Sequence, residues 1–455
     1  MSDSLNHKDK LTIAVVGSGP SGFYATEALL KNFPNTSVNI IEKLPVPFGL
    51  VRFGVAPDHP KLKQVIMVYN RIAENPNVNF FGNVELDKDI TIEELQRTHH
   101  AVILCYGARS DRDLNIPGTS LKGYHSAREF VAWYNGDPEA QHHKFDFSHK
   151  NAVIIGQGNV AADVCRILTK SVDELKKTDI TTQAIEQLSE SKIRNIHIIG
   201  RRGPAQAKFS SKEIRELGEL SNCSNFIEQQ SYVIDDIDKN QLSAPAFADI
   251  AKCVSIFKDF GYKKDSKKQH SIEYKFLLSP IKICGDSKIE SITFMRNRLT
   301  DNRKAEPTGD TITIDCGLCF SSIGYRGQAI NNIPFDDVKG TIINDKGRVI
   351  NKQGTVITGL YTSGWIKRGP SGIIGTNRAD SVETIETLVK DIETLKQKTI
   401  EENAFINILK AKKCRYISYE DWKKIDDIEI KNGSIIGKSR EKITDIDKML
   451  SIANK

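Results

Sequence analysis

The sequence predicts an α/β fold made of two Rossmann-like dinucleotide-binding units with parallel central sheets, one nested inside the other. Two observations carry this. A glycine turn, Gly17-Ser-Gly19-Pro20-Ser21-Gly22, follows the apolar run Leu11 to Val16, and a second, Gly156-Gln157-Gly158-Asn159-Val160-Ala161, follows Ala152 to Ile155. Each reads strand, tight turn, helix, a geometry that aims backbone N–H groups and a helix N-terminus at a pyrophosphate. A third observation separates the two turns. The strand after the first, Val38 to Ile41, ends in Glu42, whereas the strand after the second, Asn195 to Ile199, ends in Gly200-Arg201-Arg202. An acid at that place accepts hydrogen bonds from a ribose diol, and an arginine pair suits a 2′-phosphate. One site therefore fits a dinucleotide such as FAD and the other NADP. Two dinucleotides in one chain imply electron transfer between them.

Along the chain, residues 11–105 read as strand, helix, strand, connection, strand, the last being Ala101 to Cys105. The segment Pro45 to Lys61 is rich in proline and glycine and reads as a long functional loop. Residues 151–205 repeat the strand–turn–helix–strand logic, with a long helical excursion from Ala161 to Glu190. Residues 206–270 are charged and mixed and read as helical, and 273–323 as strand-rich: Tyr274 to Leu278, Ile289 to Met295 and Thr311 to Ile323. The short strand Gly359 to Gly364 and a helix from about Arg378 to Lys398 would complete the first unit. The resulting division is 1–109 for the first part of the FAD unit, 110–324 for the NADP unit, and 325–455 for the second part of the FAD unit with a C-terminal helical tail. That tail, 400–455, is rich in lysine and isoleucine with helical periodicity.

Composition bounds the rest. The chain has 455 residues, 39% hydrophobic and 27% charged, ordinary values for a protein with full cores. The apolar runs are short strands, so no membrane-spanning helix is expected. Met1 to Lys10 is polar and has neither a signal-peptide apolar region nor an arginine-rich amphipathic pattern, which points to the cytoplasm. The net charge of +6 is mild, and no basic stripe interleaved with aromatics suggests nucleic acid. A modest positive excess suits an acidic protein partner. The eight cysteines are scattered. Cys316-Gly317-Leu318-Cys319 has the spacing of a redox pair, but it lies within the strand-like stretch Thr311 to Ile323, where residues three apart face opposite ways. Two buried thiols are the expectation there, and no metal-ligand set is evident.

The run Pro45-Val-Pro-Phe-Gly-Leu-Val-Arg-Phe-Gly-Val-Ala-Pro-Asp-His-Pro60 resembles the flavin loop of the adrenodoxin reductase family of NADPH-dependent ferredoxin reductases. Gly156-Gln-Gly-Asn-Val160, Gly200-Arg-Arg-Gly-Pro204 and Gly364-Trp-Ile-Lys-Arg-Gly-Pro-Ser-Gly-Ile-Ile374 match the same family, in order. The resemblance implies a glutathione-reductase-like fold, FAD and NADP(H) as cofactors, and a ferredoxin or adrenodoxin-like iron–sulfur protein as acceptor. By residue, it implies that Gly17, Gly19, Pro20, Ser21 and Gly22 face the FAD pyrophosphate and Glu42 the adenosine ribose. Leu50 and Val84 would contact flavin or adenine. Trp365, Gly372, Ile373 and Ile374 would lie along the isoalloxazine, with a helix starting near Gly372 pointing its positive end at the flavin. Gln157, Gly158, Asn159 and Val160 would cradle the NADP pyrophosphate, Arg201 and Arg202 the 2′-phosphate, and Glu213 a further part of the nucleotide, with Gly372 between the two ligands. His59 and Glu216 are candidates for orienting the nicotinamide or relaying a proton. Lys367 and Arg368 are the charges expected to guide the acceptor. The competing readings are a flavin-dependent disulfide reductase or monooxygenase of the same fold, and a non-catalytic NADPH-sensing module.

Overall fold

The computed structural model describes residues 10–453. The N-terminal residues that bear on cellular location, Met1 to Asp9, lie outside the described part, apart from Lys10 next to them.

Seven strands form the first sheet, in the order Asn344–Asp345, Arg348–Ile350, Val356–Thr362, Ala101–Leu104, Thr12–Val16, Ser37–Glu42, Val78–Gly82. The five strands from Val356–Thr362 to Val78–Gly82 pair in parallel. The two short strands at the other edge turn antiparallel. Strands such as TIAVV and AVIL are apolar almost throughout because both sheet faces are covered. Alternate residues of Thr12–Val16 thus feed two separate cores: Ile13 and Val15 join Phe23, Tyr69 and Trp422, while Ala14 and Val16 join Leu95, Ile366 and Phe405.

The second sheet is wholly parallel, ordered Tyr124–Ser126, Leu318–Ser321, Asn151–Ile155, Asn195–Ile199, His270–Lys275, Cys223–Ile227. One edge strand, Cys223–Ile227, falls in a region read from the sequence as helical. Its polar CSNFI pattern suits an edge better than a buried centre, and that hid it. The helical excursion after the second turn is three helices, Asn159–Thr169, Val172–Leu175 and Thr182–Ser189, each of the last two restarted by a Ser or Thr N-cap. An antiparallel sheet of Leu278–Cys284, Ser291–Leu299 and Ala305–Asp315 leads back toward the core strand Leu318–Ser321. The chain passes between the two large sheets twice, and the two passages pair as a short ribbon, Ser110–Asp111 against Tyr325–Arg326.

The stretch Thr311 to Ile323 is not one strand. It breaks after Asp315, and Cys316 sits in the turn before Leu318–Ser321. The opposite-face argument for the cysteines therefore fails: Cys316 and Cys319 both pack into the apolar cluster around Val153, Ile292 and Phe294. Both thiols are free and buried, as expected.

The C-terminal tail is an integral part of the fold. Trp422, on the helix Tyr419–Ile435, packs edge-on to Phe48 with ring centres 5.8 Å apart. Glu429 of that helix lies 2.5 Å from Arg52, and both are buried. Beyond it, Lys438 donates to the Ile180 carbonyl at 2.8 Å, and Lys442 pairs with Asp179 at 3.1 Å. Lys63, from the segment that follows the proline-rich loop, reaches Asp179 at 2.7 Å. Burial favours neutral Asp179, but Lys442 and Lys63 hold it well below the usual carboxylate range. Burial pushes Lys442 down to about 7 against the pull of Asp179.

Candidate functional site

The first glycine turn is fixed by close approach. Gly17 has φ +107°, and a Cβ there would stand 2.6 Å from the Cys105 carbonyl oxygen. A Cβ on Gly22 would stand 1.9 Å from the Gly17 oxygen, so the Pro20–Asn32 helix can sit on its strand only with glycine there. Gly19 is different: a Cβ would meet nothing within 4 Å. It faces open space, and Pro20 starts the helix with no side chain capping its N–H groups. Glu42, at the end of its strand, is buried, accepting from Ser18 N at 3.0 Å, Ser18 Oγ at 2.7 Å and Leu44 N at 3.2 Å. Arg109 stands 4.0 Å away. Val84 is buried, and its N–H donates to the Glu42 carbonyl. Leu50 opens the short helix Leu50–Phe53 and is half-buried. The proline-rich loop lies directly on the turn: Phe48 N donates to Ser18 O, and Gly49 approaches Gly19 closely enough that a Cβ would be 3.2 Å from its Cα.

The C-terminal half closes the same site. Ser21 Oγ donates to Ser363 Oγ at 3.0 Å, and Ser381 Oγ donates to the Ser21 carbonyl at 3.1 Å. Gly364 has φ +80° against Ser21. Trp365 stacks on Tyr325 with ring centres 5.5 Å apart, and its Nε1 donates to the Ser371 carbonyl. The helix expected near Gly372 begins at Thr376, because Gly372 takes φ +80° and the turn is closed by Ile373 N donating to Thr376 Oγ1. Ile373 is 74% exposed and Ile374 half-buried. Lys367 is not a surface charge. It is buried, with Nζ 2.6 Å from Glu383 and 3.1 Å from Asp380, and it donates to Thr384. Three partners on one helix face draw it inward, so the expectation of a docking charge at Lys367 fails. Arg368 is half-buried and donates to Asn377 and Ser371.

The second turn repeats the first with fewer attachments. Gly156 has φ +131°, and a Cβ would be 2.1 Å from the Ser322 oxygen. Gly158, like Gly19, faces open space and leaves the Asn159–Thr169 helix uncapped. Asn159 Oδ1 accepts from Ser210 N, Gln157 lies against Gly200, and Val160 is half-buried. Among the described residues neither Arg201 nor Arg202 has a carboxylate partner. Burial and the charge of Arg201 together lower the pKa of Arg202. Two adjacent guanidinium groups without a counter-charge repel each other and favour a dianion between them.

Between the turns, His59 Nε2 lies 2.8 Å from Glu216 Oε2. The structure thus joins two residues that the sequence places 157 positions apart. Behind them stands Arg166, which the sequence reading missed. Its guanidinium meets Asp58 at 3.0 Å, Glu213 at 2.6 Å and Glu216 at 3.9 Å, and also Asp163. Asp58 has a second cation, Lys170, at 2.8 Å. Burial would raise Asp58, but Arg166 and Lys170 hold it well below the usual range. Asp163 shares Arg166 yet goes the other way: burial and the nearby Glu213 outweigh the arginine and bring it up to about 6. The one available signal for Arg166 was an arginine inside the apolar run Val164 to Leu168 of an amphipathic helix, the usual mark of a buried ion pair. Glu213 is buried with its carboxylate turned to Arg166.

Two glycine turns with unlike second strands, bridged by a histidine–glutamate pair, define a pyridine-nucleotide-dependent oxidoreductase of the two-dinucleotide class. Relatives narrow the class. No family model matches the chain. The NADPH:adrenodoxin oxidoreductase of Salvelinus fontinalis is 40% identical over 97% of this chain and 91% of its own, and that of Bos taurus is 38% identical with the same coverage. The NADPH-ferredoxin reductase FprA of Mycobacterium tuberculosis is 37% identical over 97% of this chain and 98% of its own. Its solved structure in complex with NADPH superposes with a TM-score of 0.92, covering 98% of this chain and all of that one. The chain belongs to the adrenodoxin reductase-type ferredoxin–NADP reductase family.

Proposed function

We propose that the chain is an FAD-dependent NADPH:ferredoxin oxidoreductase that takes hydride from NADPH and delivers electrons singly to an iron–sulfur protein. The observation that carries the nucleotide choice is the Arg201–Arg202 pair, without a carboxylate partner among the described residues, at the end of the second strand. The first turn fits FAD: Gly19 leaves open space where a pyrophosphate would lie, and Glu42 stands at the ribose position. When bound, FAD would supply the group that accepts a hydride and releases one electron at a time.

The chain's own residues bind, orient and exclude water. Gly17 N and Ser18 N are taken by Ile41 and Glu42, so the N–H groups left to hold one pyrophosphate are those of Gly19, Ser21 and Gly22, and Gln157 to Val160 hold the other. Leu50 and Val84 bound the adenine and flavin; Trp365 and the Gly372-Ile373-Ile374 turn cover the face shared by the two rings. The His59–Glu216 pair orients the carboxamide end of the nicotinamide, and Arg166 holds Glu216 and Glu213 in place. The proposed domain division remains 1–109, 110–324 and 325–455. Arg368, without Lys367, is the proposed docking charge. A cytoplasmic place of work is part of this proposal and is checked by cell fractionation, since several eukaryotic relatives are mitochondrial by name.

The test is the visible spectrum of the purified chain together with NADPH-dependent reduction of cytochrome c, with and without added ferredoxin. The expected result is one non-covalent FAD per chain and reduction that depends on ferredoxin. A folded but colourless protein, or one that releases only FMN, overturns the flavin assignment. Failure to reduce any one-electron acceptor favours the sensing module.

A further inference from the structure

Away from the two glycine turns, three side chains converge near the start of the helix Ala127–Tyr134. His125 lies in the edge strand Tyr124–Ser126, Glu129 in the first turn of the helix, and His143 follows the short helix Pro138–Ala140. One ligand atom from each lies within 4.8 Å of the other two. We propose that His125, Glu129 and His143 form a binding site for a borderline divalent cation of the Zn²⁺ class, completed by water.

The geometry is prepared by contacts that owe nothing to a metal. Glu129 Oε2 accepts from Ser126 N at 3.0 Å in a capping box, which fixes the carboxylate and leaves Oε1 without a partner among the described residues. His143 is held by its backbone N–H donating to the Ala140 carbonyl, and Phe145 packs against the His125 ring at 4.5 Å. His125 Nδ1 is 3.9 Å from Glu129 Oε2, too long for a hydrogen bond. His125 Nδ1, the ring nitrogen set toward Glu129, makes no hydrogen bond among the described residues and is the atom a cation between the two would take. Two imidazoles and a carboxylate are a ligand set that borderline cations take and that Mg²⁺ or Ca²⁺ do not prefer.

The only other such trio among the described residues, His59 with Glu213 and Glu216, is poorly suited. Arg166 sits 2.6 Å from Glu213 and 3.9 Å from Glu216, so a positive charge already occupies that corner. Among the described residues no arginine or lysine makes an ion pair with Glu129; Arg128 is turned to Asp111 at 2.8 Å. Asp111 belongs to the ribbon that connects the two large sheets, so a cation here would brace the helix beside that connection.

The test is calorimetric titration of the full-length flavin-loaded protein, stripped with EDTA, using ZnCl₂ in a non-coordinating buffer. One equivalent should bind with micromolar or tighter affinity, raise Tm by several degrees, and give a zinc X-ray absorption edge with two imidazoles and oxygen. H143Q and H125Q should each weaken binding at least tenfold. E129Q, which can still cap Ser126, should weaken it less, and H142Q should leave it unchanged. If H125Q fails to fold, the half-buried His143 and the E129Q variant decide the matter. Absence of one-to-one binding overturns the proposal. So does binding of unchanged affinity in H143Q, or an equal response to MgCl₂.

Discussion

The two glycine turns share a backbone and differ in what closes over them. At the first, the proline-rich loop lies across Gly19, Glu42 is buried under three donors, and Ser363 and Ser381 from the far end of the chain lock Ser21. At the second, Asn159 takes one backbone donor, and Arg201 and Arg202 stand without a carboxylate among the described residues. The same phosphate-binding geometry thus serves two purposes: a covered turn suits a resident ligand, an uncovered one suits a ligand that comes and goes. Affinity and exchange rate are set by the surroundings, not by the glycine motif.

The sharpest way to break this comparison is to remove the charge that marks the second site. Each charge-assisted contact to a phosphate contributes about 1.5–3 kcal/mol, so two arginines together support a preference for NADPH over NADH of about a hundredfold or more. R201A/R202A should erase most of it, mainly through KM for NADPH, with the flavin spectrum unchanged. Discrimination that survives puts the 2′-phosphate elsewhere. The next largest effect separates two glycines of the first turn. G22A drives a Cβ to 1.9 Å from the Gly17 oxygen and should lower the yield and Tm of the protein itself. G19A meets nothing within 4 Å, so the protein freed of flavin should keep its Tm while flavin affinity falls at least tenfold. Equal losses in both measurements for both variants would mean that the turn is not a ligand cradle.

A smaller effect tests the ion pairs that join the units. Asp58 and Asp179 are both held below the ordinary 3.8, so the stability they add is fully present above that value and is lost as pH falls through it and lower. D58N and D179N should therefore start less stable at pH 6 and lose less Tm than the parent between pH 5 and pH 3, followed by circular dichroism. A parent whose Tm is as flat as the variants' over that range contradicts the assignment. The smallest effect concerns the thiols. Burial pushes Cys316 up to about 12 and Cys319 well above its ordinary value, so neither is a thiolate at working pH. C316S/C319S should keep NADPH-to-acceptor turnover within a few-fold; loss of turnover with flavin content intact would revive a disulfide mechanism.

Much of this was legible in the chain because local rules carry it. Strand, glycine turn, helix and second strand are contiguous, and their side chains state their own chemistry. The nested order also followed from the interruption of one strand–turn–helix unit by the other, which leaves the C-terminal part to complete the first, as the pairing of Val356–Thr362 with Ala101–Leu104 does. What escaped notice depends on partners distant in sequence. Lys367 reads as a surface lysine next to Arg368 until Asp380, Glu383 and Thr384 are brought alongside. His143 carries no signal of its own in the sequence, and only the fold sets it beside Glu129 and His125. The Cys316 turn was hidden because strand propensity continues through a residue that the packing of two different sheets forces to bend.

The sheet order has a consequence for how the protein is made. The strand Ala101–Leu104 needs Val356–Thr362 as its neighbour, and about 250 residues separate them. At a synthesis rate of ~5–20 residues per second, that edge waits roughly ten to fifty seconds for its partner. The intervening sheet has all six of its strands by Ser321 and can close first. The unit that begins the chain is therefore the last to be finished, and an unpaired apolar edge is exposed on the ribosome in the meantime.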